Sequence, residues 1–298
     1  MNRRKLLKGL GLSVGAITMG PVLNAGMGRK KSSESLLRIA HITDVHMRPE
    51  GNALQRFNIC IEEIKKHGVD FFLNTGDSIF AADYDDITRD NMLMQWELWD
   101  HSRANFAEYE MFSCLGNHDM WWAAPNTSDS MYGKDYVVQR LGIPKRYYSF
   151  DRSGWHFIVL DSNNSKGGHL DPEQRKWLED DLEGLPLATP VIVMSHYPIM
   201  GVGTIIGGGN HTDSKYITKL FYAHKDKKIH CLSGHVHLLD RATYNNVNYY
   251  CNGSVSGYWW SEGDEDSAEP FWCHQTPPGY AILDLKEDGS LRSTYHRY

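Results

Sequence analysis

Short hydrophobic runs recur along the chain and predict β-strands. Each of the main runs ends at a polar or glycine-containing motif, a pattern typical of buried strands in α/β proteins. Five of these runs lie at 38–42, 69–73, 110–115, 191–194 and 228–232. Two later strand patterns lie at 247–251 and 280–285.

Helices are predicted between the first three strands. A helix is predicted by apolar residues that share one helical face, namely Leu54, Phe57, Ile61 and Ile64. Gly68 then stands where helices commonly end. A second helix is predicted over 90–107, before the strand at 110–115.

Turn and capping residues organise the middle of the chain. Asp171 can cap a third helix that has Pro172 in its first turn. Strands that alternate with helices early in the chain, followed by more strand late in the chain, favour two sheets flanked by helices. Ser153-Gly154 predicts a hairpin turn between strand patterns at 147–150 and 155–161.

Polar motifs rich in Asp, Asn and His follow the five main runs directly. In open α/β sheets binding sites form at the carboxyl ends of strands, so these motifs are expected to meet. Together they supply seven oxygen and imidazole donors, enough for two metal ions about 3.5 to 4 Å apart with one bridging carboxylate. The motifs are Asp44-Val45-His46, Gly76-Asp77, Gly116-Asn117-His118-Asp119, Ser195-His196 and Gly234-His235-Val236-His237.

The motif order resembles that of the calcineurin-like metallophosphoesterase family, whose pattern of D-x-H, G-D, G-N-H-D/E, H and G-H-x-H is matched in full over 38–240. The resemblance implies the metallo-dependent phosphatase fold, a four-layer α/β/β/α sandwich of two mixed β-sheets flanked by helices. It also implies two sets of metal ligands that share Asp77 as the bridge. One set would be Asp44, His46, Asp77 and His237, and the other Asp77, Asn117, His196 and His235.

The family also places His118 beside the leaving group of a phosphoester, either a monoester or a diester. The expected reaction is in-line attack on phosphorus by a hydroxide held between the metal ions, with protonated His118 donating to the departing oxygen. Asp119 is expected to orient His118, because a catalytic imidazole is normally held by a carboxylate or carbonyl. The donor set contains no thiolate, which favours two divalent ions of manganese, iron, zinc, cobalt or nickel over a structural zinc site.

The N-terminal residues differ in composition from the rest of the chain, which has the composition of an ordinary globular protein. The 298 residues are 41% hydrophobic and 23% charged, and 36–298 is predicted to form one continuous domain. Residues 1–25 begin with a basic stretch containing Arg3 and Arg4, continue with an apolar stretch, and resemble a twin-arginine export signal. A polar linker at 26–35 would follow. We therefore expect an exported protein, periplasmic or envelope-associated in a bacterium, with an uncleaved membrane anchor and a cytosolic basic tail as alternatives.

The net charge of the chain limits the kinds of molecule that it is expected to bind. Lys and Arg total 31, and four of them lie in the predicted signal, so its removal would leave 27 basic against 37 acidic residues, a net charge of −10. An acidic protein is not expected to bind long nucleic acids. A small phosphoester of a nucleotide, sugar or lipid head group is the expected substrate, and the oligomeric state is left open. No membrane span is expected in the mature chain unless the signal is retained.

Some residues outside the motifs keep alternative interpretations. Trp121 and Trp122 follow the Asn117 motif and either form the floor of a substrate pocket or pack in the core. His169 and His211 lie on glycine-rich loops from which they could reach the substrate.

The aromatic and acidic loop at 253–279 also has three interpretations. It could be a lid that stacks on a sugar or base, a surface that binds a partner, or a packed cover. Cys251 and Cys273 flank this loop and could form a disulfide in an oxidising compartment. A rival function of a different class is a metal-bound recognition protein of the cell envelope, holding a glycan or partner through this loop without turnover.

Overall fold

The computed structural model of this chain describes residues 35–164, 167–261 and 269–298. The predicted export signal at 1–25 lies outside the described residues, as does the predicted linker except for its last residue, Ser35.

Two mixed β-sheets form the centre of the fold. The first sheet contains β1 (Leu37–Ile42), β2 (Phe71–Asn74), β3 (Met111–Ser113), β10 (Gly279–Leu285) and β11 (Leu291–Arg297). Strands β1, β2 and β3 are parallel neighbours, and β10 pairs antiparallel with both β1 and β11.

The second sheet has six strands in the order β4-β5-β6-β7-β9-β8. These are β4 (Tyr148–Arg152), β5 (Trp155–Val159), β6 (Pro190–Met194), β7 (Lys228–Ser233), β8 (Leu239–Tyr244) and β9 (Val247–Asn252). The four central strands are parallel, and β4 and β8 are antiparallel edge strands. The five strands that precede the polar motifs therefore lie in parallel arrangements, divided between the two sheets.

Helices connect and cover these strands. Three of them match predicted helices, and Asp171 caps the start of the third by accepting a hydrogen bond from the Gln174 amide at 2.9 Å. Within the described ranges, no helix is long and apolar enough to cross a membrane. The helices are α1 (Ala53–Lys65), α2 (Arg89–Ala104), α3 (Gly133–Leu141), α4 (Pro172–Gly184), α5 (Val202–Gly207) and α6 (Ser214–Ala223).

Side-chain alternation along the strands divides the core into two clusters. Phe157 of β5 packs edge-on against Phe71 of the first sheet, with ring centroids 5.8 Å apart, and both belong to a cluster that lies between the sheets and extends to Phe57 of α1. Its neighbour Ile158 points to the opposite face, where Leu178 of α4 belongs to a second cluster. Alternate residues of a strand face opposite sides, so β5 is buried on both faces. The predicted class, two mixed sheets flanked by helices, is confirmed.

All five cysteines are buried and free. Cys251 and Cys273 do not form the disulfide that their positions allowed. Burial raises the pKa of both thiols, which keeps them protonated and unreactive at neutral pH.

Candidate metal centre

The loops after the parallel strands converge at the carboxyl ends of the two sheets. The amide N–H groups of Asp44 and His46 donate to the carbonyl oxygens of Gly76 and Asp77, each at 2.9 Å, and join the loops after β1 and β2. The Gly234 amide donates to the His196 carbonyl at 3.0 Å and joins the loops after β6 and β7. Strand order thus brings together motifs that are far apart in the sequence.

One group of donors consists of Asp44, His46 and His237. Their ligand atoms all lie within 4.8 Å of one another. The Asp44 Oδ1 atom is 3.3 Å from His237 Nε2 and 3.8 Å from His46 Nε2. All three side chains are buried.

A second group consists of Asp77, His196 and His235, again with ligand atoms within 4.8 Å of one another. The side-chain oxygen of Asn117 is 2.9 Å from His196 Nε2 and 2.9 Å from His235 Nδ1, which adds a fourth donor. The structure therefore brings all seven predicted ligands into two adjacent groups.

Asp77 lies between the groups. Its Oδ2 atom is 3.3 Å from His196 Nε2 in one group and 3.6 Å from His46 Nε2 in the other. Its Oδ1 atom accepts the His118 amide N–H at 2.9 Å, which fixes the carboxylate plane. Asp77 therefore lies within reach of both donor groups, where a carboxylate shared by two ions would have to lie.

The orientation of two imidazoles tests whether the donors fit a cation. The Nδ1–H of His46 donates to the Phe80 carbonyl at 3.3 Å, and the Nδ1–H of His237 donates to the Gly257 carbonyl at 2.7 Å. In the neutral form of each ring the Nε2 atom therefore carries a lone pair, and the two Nε2 atoms face each other at 3.0 Å. Burial lowers the pKa of His46 to about 3, which keeps that ring neutral at neutral pH. A divalent cation accepts both lone pairs, and the donor chemistry fits such an ion.

Strained backbone accompanies these ligands. Non-glycine residues rarely adopt a left-handed φ, and each such residue costs about 1 to 3 kcal/mol unless the surrounding structure enforces it. The hydrogen bonds between loops supply that enforcement. Five of the seven predicted ligands are left-handed, namely Asp44 (φ 51°), His46 (48°), Asp77 (54°), His235 (70°) and His237 (54°).

Two motif glycines permit the close approach of these loops. A Cβ on Gly116 would lie 1.9 Å from the Asp77 amide nitrogen. A Cβ on Gly234 would lie 1.9 Å from Thr43 Oγ1 and 2.3 Å from Asp44 Oδ2. Only glycine fits at these positions, because any side chain would displace a predicted ligand.

His118 lies beside the first group, with its ring centroid 5.2 Å from that of His46. Its Nδ1 atom is 2.6 Å from the Asp83 carboxylate. Burial opposes the charged ring, but the charge of Asp77 and the hydrogen bond to Asp83 raise the pKa of His118 to about 9. Both carboxylates thus favour the protonated form of the ring.

The carboxylate that contacts His118 is Asp83, and not Asp119 as the sequence had predicted. Asp119 is fully buried and accepts the amide N–H groups of Ser78 at 2.8 Å and Gly116 at 2.7 Å. It therefore ties the loop after β2 to the loop after β3. Asp83 was missed because it belongs to no motif, and its only signal is an acidic run at 83–86, shortly after Asp77.

The two tryptophans that follow the Asn117 motif have different environments. Trp121 is buried in the first core cluster and donates from Nε1 to the Ile87 carbonyl at 3.0 Å. Trp122 is 42% exposed and packs edge-on against Tyr132. Neither lines the cavity beside the predicted ligands, so the pocket-floor interpretation is not supported.

The two loop histidines make contacts within their own loops. His211 is fully buried, with Nε2 2.8 Å from Ser195 Oγ and Nδ1 2.8 Å from Asp213. Both ring nitrogens are therefore engaged within the protein, and His211 holds the loop that carries His196. His169 donates from Nδ1 to the Leu170 carbonyl at 2.7 Å.

The start of the loop at 253–279 packs directly on the predicted ligands. Trp260 is buried and donates from Nε1 to the carbonyl oxygens of Val45 and His46 at 2.8 and 3.0 Å. The ring of Trp259 is 4.8 Å from that of His237. This part of the loop is a fixed cover of the centre, whereas most of its acidic residues, at 262–268, lie outside the described residues.

Comparison with known proteins agrees with this site. A family model described as calcineurin-like phosphoesterase matches residues 37–239. A 3′,5′-cyclic-nucleotide phosphodiesterase of Nostoc sp. is 25% identical over 274 residues, which cover 88% of this chain and 92% of that protein. The 3′,5′-cyclic adenosine monophosphate phosphodiesterase CpdA of Escherichia coli is 22% identical over 89% of this chain and 91% of its own length.

Solved structures share the fold at lower identity. A dimetal phosphatase from Danio rerio has a TM-score of 0.64 at 12% identity, covering 85% of this chain and 94% of that chain. GAP50, the anchor in the inner membrane complex of Plasmodium, has a TM-score of 0.56 at 17% identity, covering 87% and 84%. Because the family model spans more than half of the chain, this protein belongs to the calcineurin-like phosphoesterase family and is a metallophosphoesterase.

Proposed function

We propose that this protein is a metal-dependent phosphodiesterase that hydrolyses 3′,5′-cyclic nucleotides. The observation that carries the proposal is the position of Asp77 between two groups of metal-binding donors. Two relatives that align with nearly the whole chain are named as cyclic-nucleotide phosphodiesterases, which supports a diester as the substrate over a monoester.

Seven side chains would hold the cations in this proposal. When bound, two divalent cations supply Lewis acidity toward the phosphoryl oxygens and lower the pKa of the attacking water. The oxygen and imidazole donors suit manganese, iron, zinc, cobalt or nickel. Asp44, His46 and His237 would hold one cation and Asn117, His196 and His235 the other, with Asp77 shared.

His118 would protonate the leaving oxygen. Its Nδ1–H donates to Asp83, which leaves Nε2 as the ring nitrogen that delivers the proton. Asp83 is not among the predicted ligands, so its support of the charged ring persists when cations neutralise Asp77. This arrangement matters most for a ribose oxygen, because an alkoxide is a poor leaving group without a proton.

The test is hydrolysis by the full chain after chelation and reloading with manganese, zinc or ferrous iron. The substrates are 3′,5′-cyclic AMP, bis-p-nitrophenyl phosphate and p-nitrophenyl phosphate. We expect turnover of both diesters with at least one metal and slower turnover of the monoester. Hydrolysis of the monoester alone would overturn the diester proposal, and tight cyclic-nucleotide binding without turnover in every metal would favour the recognition protein.

We also propose that the protein is exported to the periplasm or envelope. The support is Arg3 and Arg4 ahead of an apolar stretch. Replacing both arginines with lysine should retain the protein in the cytoplasm, as measured by cell fractionation. Equal export of the variant and the parent would contradict a twin-arginine route.

A further inference from the structure

A cavity of about 240 Å³ opens beside the predicted ligands His235 and His237. Three aromatic side chains form much of its remaining wall, namely Trp259, Phe271 and Trp272. A glycine-rich turn at 207–209 also lines the cavity and leaves it free of bulky side chains on that side.

The chemistry of the walls restricts the ligand. Among the described residues that line this cavity there is no lysine or arginine. A second phosphate group would require such cations, whereas an uncharged planar ring requires aromatic faces. The cavity therefore suits the organic part of a phosphoester more than another anionic group.

Two of these aromatic side chains are unusually exposed. Phe271 is 41% exposed and Trp272 is 47% exposed, although both are large and apolar. Such side chains at the rim of a cavity are typical of ligand-binding sites, because a ligand completes their burial. The third, Trp259, lies deeper, with its ring 4.8 Å from that of His237 and 6.0 Å from that of His46.

The backbone holds Trp259 in a fixed position relative to the centre. Trp259 and its neighbour Trp260 both have left-handed φ angles, 46° and 66°. Trp260 is anchored by its indole hydrogen bonds to Val45 and His46, and Arg56 donates to its carbonyl at 2.7 Å. Because the backbone at Trp259 is already held through Trp260, a ligand that stacks on the Trp259 ring has little backbone to order.

We propose that this aromatic cleft, bounded by Trp259, Phe271 and Trp272, binds the nucleobase of the substrate by stacking. The inference rests on the proposed hydrolysis of cyclic nucleotides and identifies the site that recognises their base. The cleft begins at two predicted metal ligands, so a base attached through one ribose to the reacting phosphate would reach it. Trp259 is then a residue that determines specificity.

The experiment compares two substrates that share the reacting ring. One is 3′,5′-cyclic AMP, and the other is the base-free 1-deoxyribose 3′,5′-cyclic phosphate. The variants are Trp259→Leu, the double variant Phe271→Leu with Trp272→Leu, and the conservative Trp259→Phe. Trp122→Leu is the matched control, because Trp122 is similarly exposed and lies outside the cleft.

We expect Trp259→Leu to raise the KM for cyclic AMP about 10-fold or more and to leave kcat nearly unchanged, because stacking contributes equally before and during the reaction. The KM for the base-free substrate should not change, Trp259→Phe should restore most of the affinity, and metal content should equal that of the parent. An equal change for both substrates, no change for either, or loss of metal from Trp259→Leu would each overturn the inference.

Calorimetric binding of adenosine to the metal-loaded full chain separates this inference from the proposed function. Adenosine carries no phosphate, so its binding reports on the cleft alone. Binding that Trp259→Leu weakens, without hydrolysis of cyclic AMP, would support the cleft and reject the proposed function. Hydrolysis of cyclic AMP with no effect of Trp259→Leu on KM would reject the cleft and keep the function.

Discussion

Replacing Asp77 with asparagine should abolish turnover and release bound metal. An amide lacks the negative charge needed between two cations, and its N–H₂ group cannot be a ligand. Because a bound metal ion stabilises the transition state by several kcal/mol, kcat should fall by about 10³-fold or more. Metal content measured by mass spectrometry and kcat for bis-p-nitrophenyl phosphate test both parts.

A matched control is available in the same loop. Asp85→Asn makes the same chemical change at an exposed position and should leave metal content and turnover unchanged. Thermal melts of both variants distinguish loss of the centre from loss of the fold. An Asp77→Asn protein that keeps its metals and its rate would show that Asp77 does not bridge them.

His118→Ala should lower kcat for cyclic AMP by about 10² to 10⁴-fold, the usual contribution of a general acid. The loss should be much smaller for bis-p-nitrophenyl phosphate, because nitrophenolate departs without a proton. This dependence on the leaving group identifies a proton donor, since a structural role would affect both substrates alike. Equal losses on the two substrates would assign His118 to positioning or metal binding.

The partner of His118 can be tested with two asparagine variants. Asp83→Asn removes a hydrogen bond that raises the pKa of His118, so the ring deprotonates more readily and the basic limb of the kcat profile should shift to lower pH. Asp119→Asn should instead loosen the two loops that Asp119 joins and so reduce the metal content. The basic limb of the kcat profile should stay at the same pH. If Asp119→Asn shifted the basic limb and Asp83→Asn did not, Asp119 would be the residue that orients His118.

Asp119 illustrates why catalytic partners are difficult to assign from sequence. Burial and the charge of Asp77 raise the pKa of Asp119 to about 7. The Asp119 carboxyl group can therefore be buried without a positively charged partner such as His118. Its two oxygens are occupied by backbone amides of Ser78, Ile79 and Gly116. Adjacent residues in a tight loop point in different directions, so proximity in sequence favoured the wrong carboxylate.

The sequence by itself determined the elements and the set of donors. Hydrophobic periodicity is a local property, and it predicted β1, β2, β3, β6 and β7 within a few residues of their observed bounds. Each donor motif follows one of these strands, and the carboxyl ends of parallel strands lie at one edge of a sheet. Local pattern was therefore enough to predict that the donor motifs meet, whereas the prediction that Asp77 lies between two groups rested on the resemblance of the motif order to the calcineurin-like family.

Only the tertiary structure decided which groups surround those donors. The contact between His118 and Asp83, the left-handed backbone of five predicted ligands and the packing of Trp259 over His237 each depend on loops from distant parts of the chain. Free Cys251 and Cys273 and the buried Trp121 depend equally on packing across the fold. Such contacts carry no periodic signal, because loop paths are set by hydrogen bonds and steric limits that exist only once both sheets have formed.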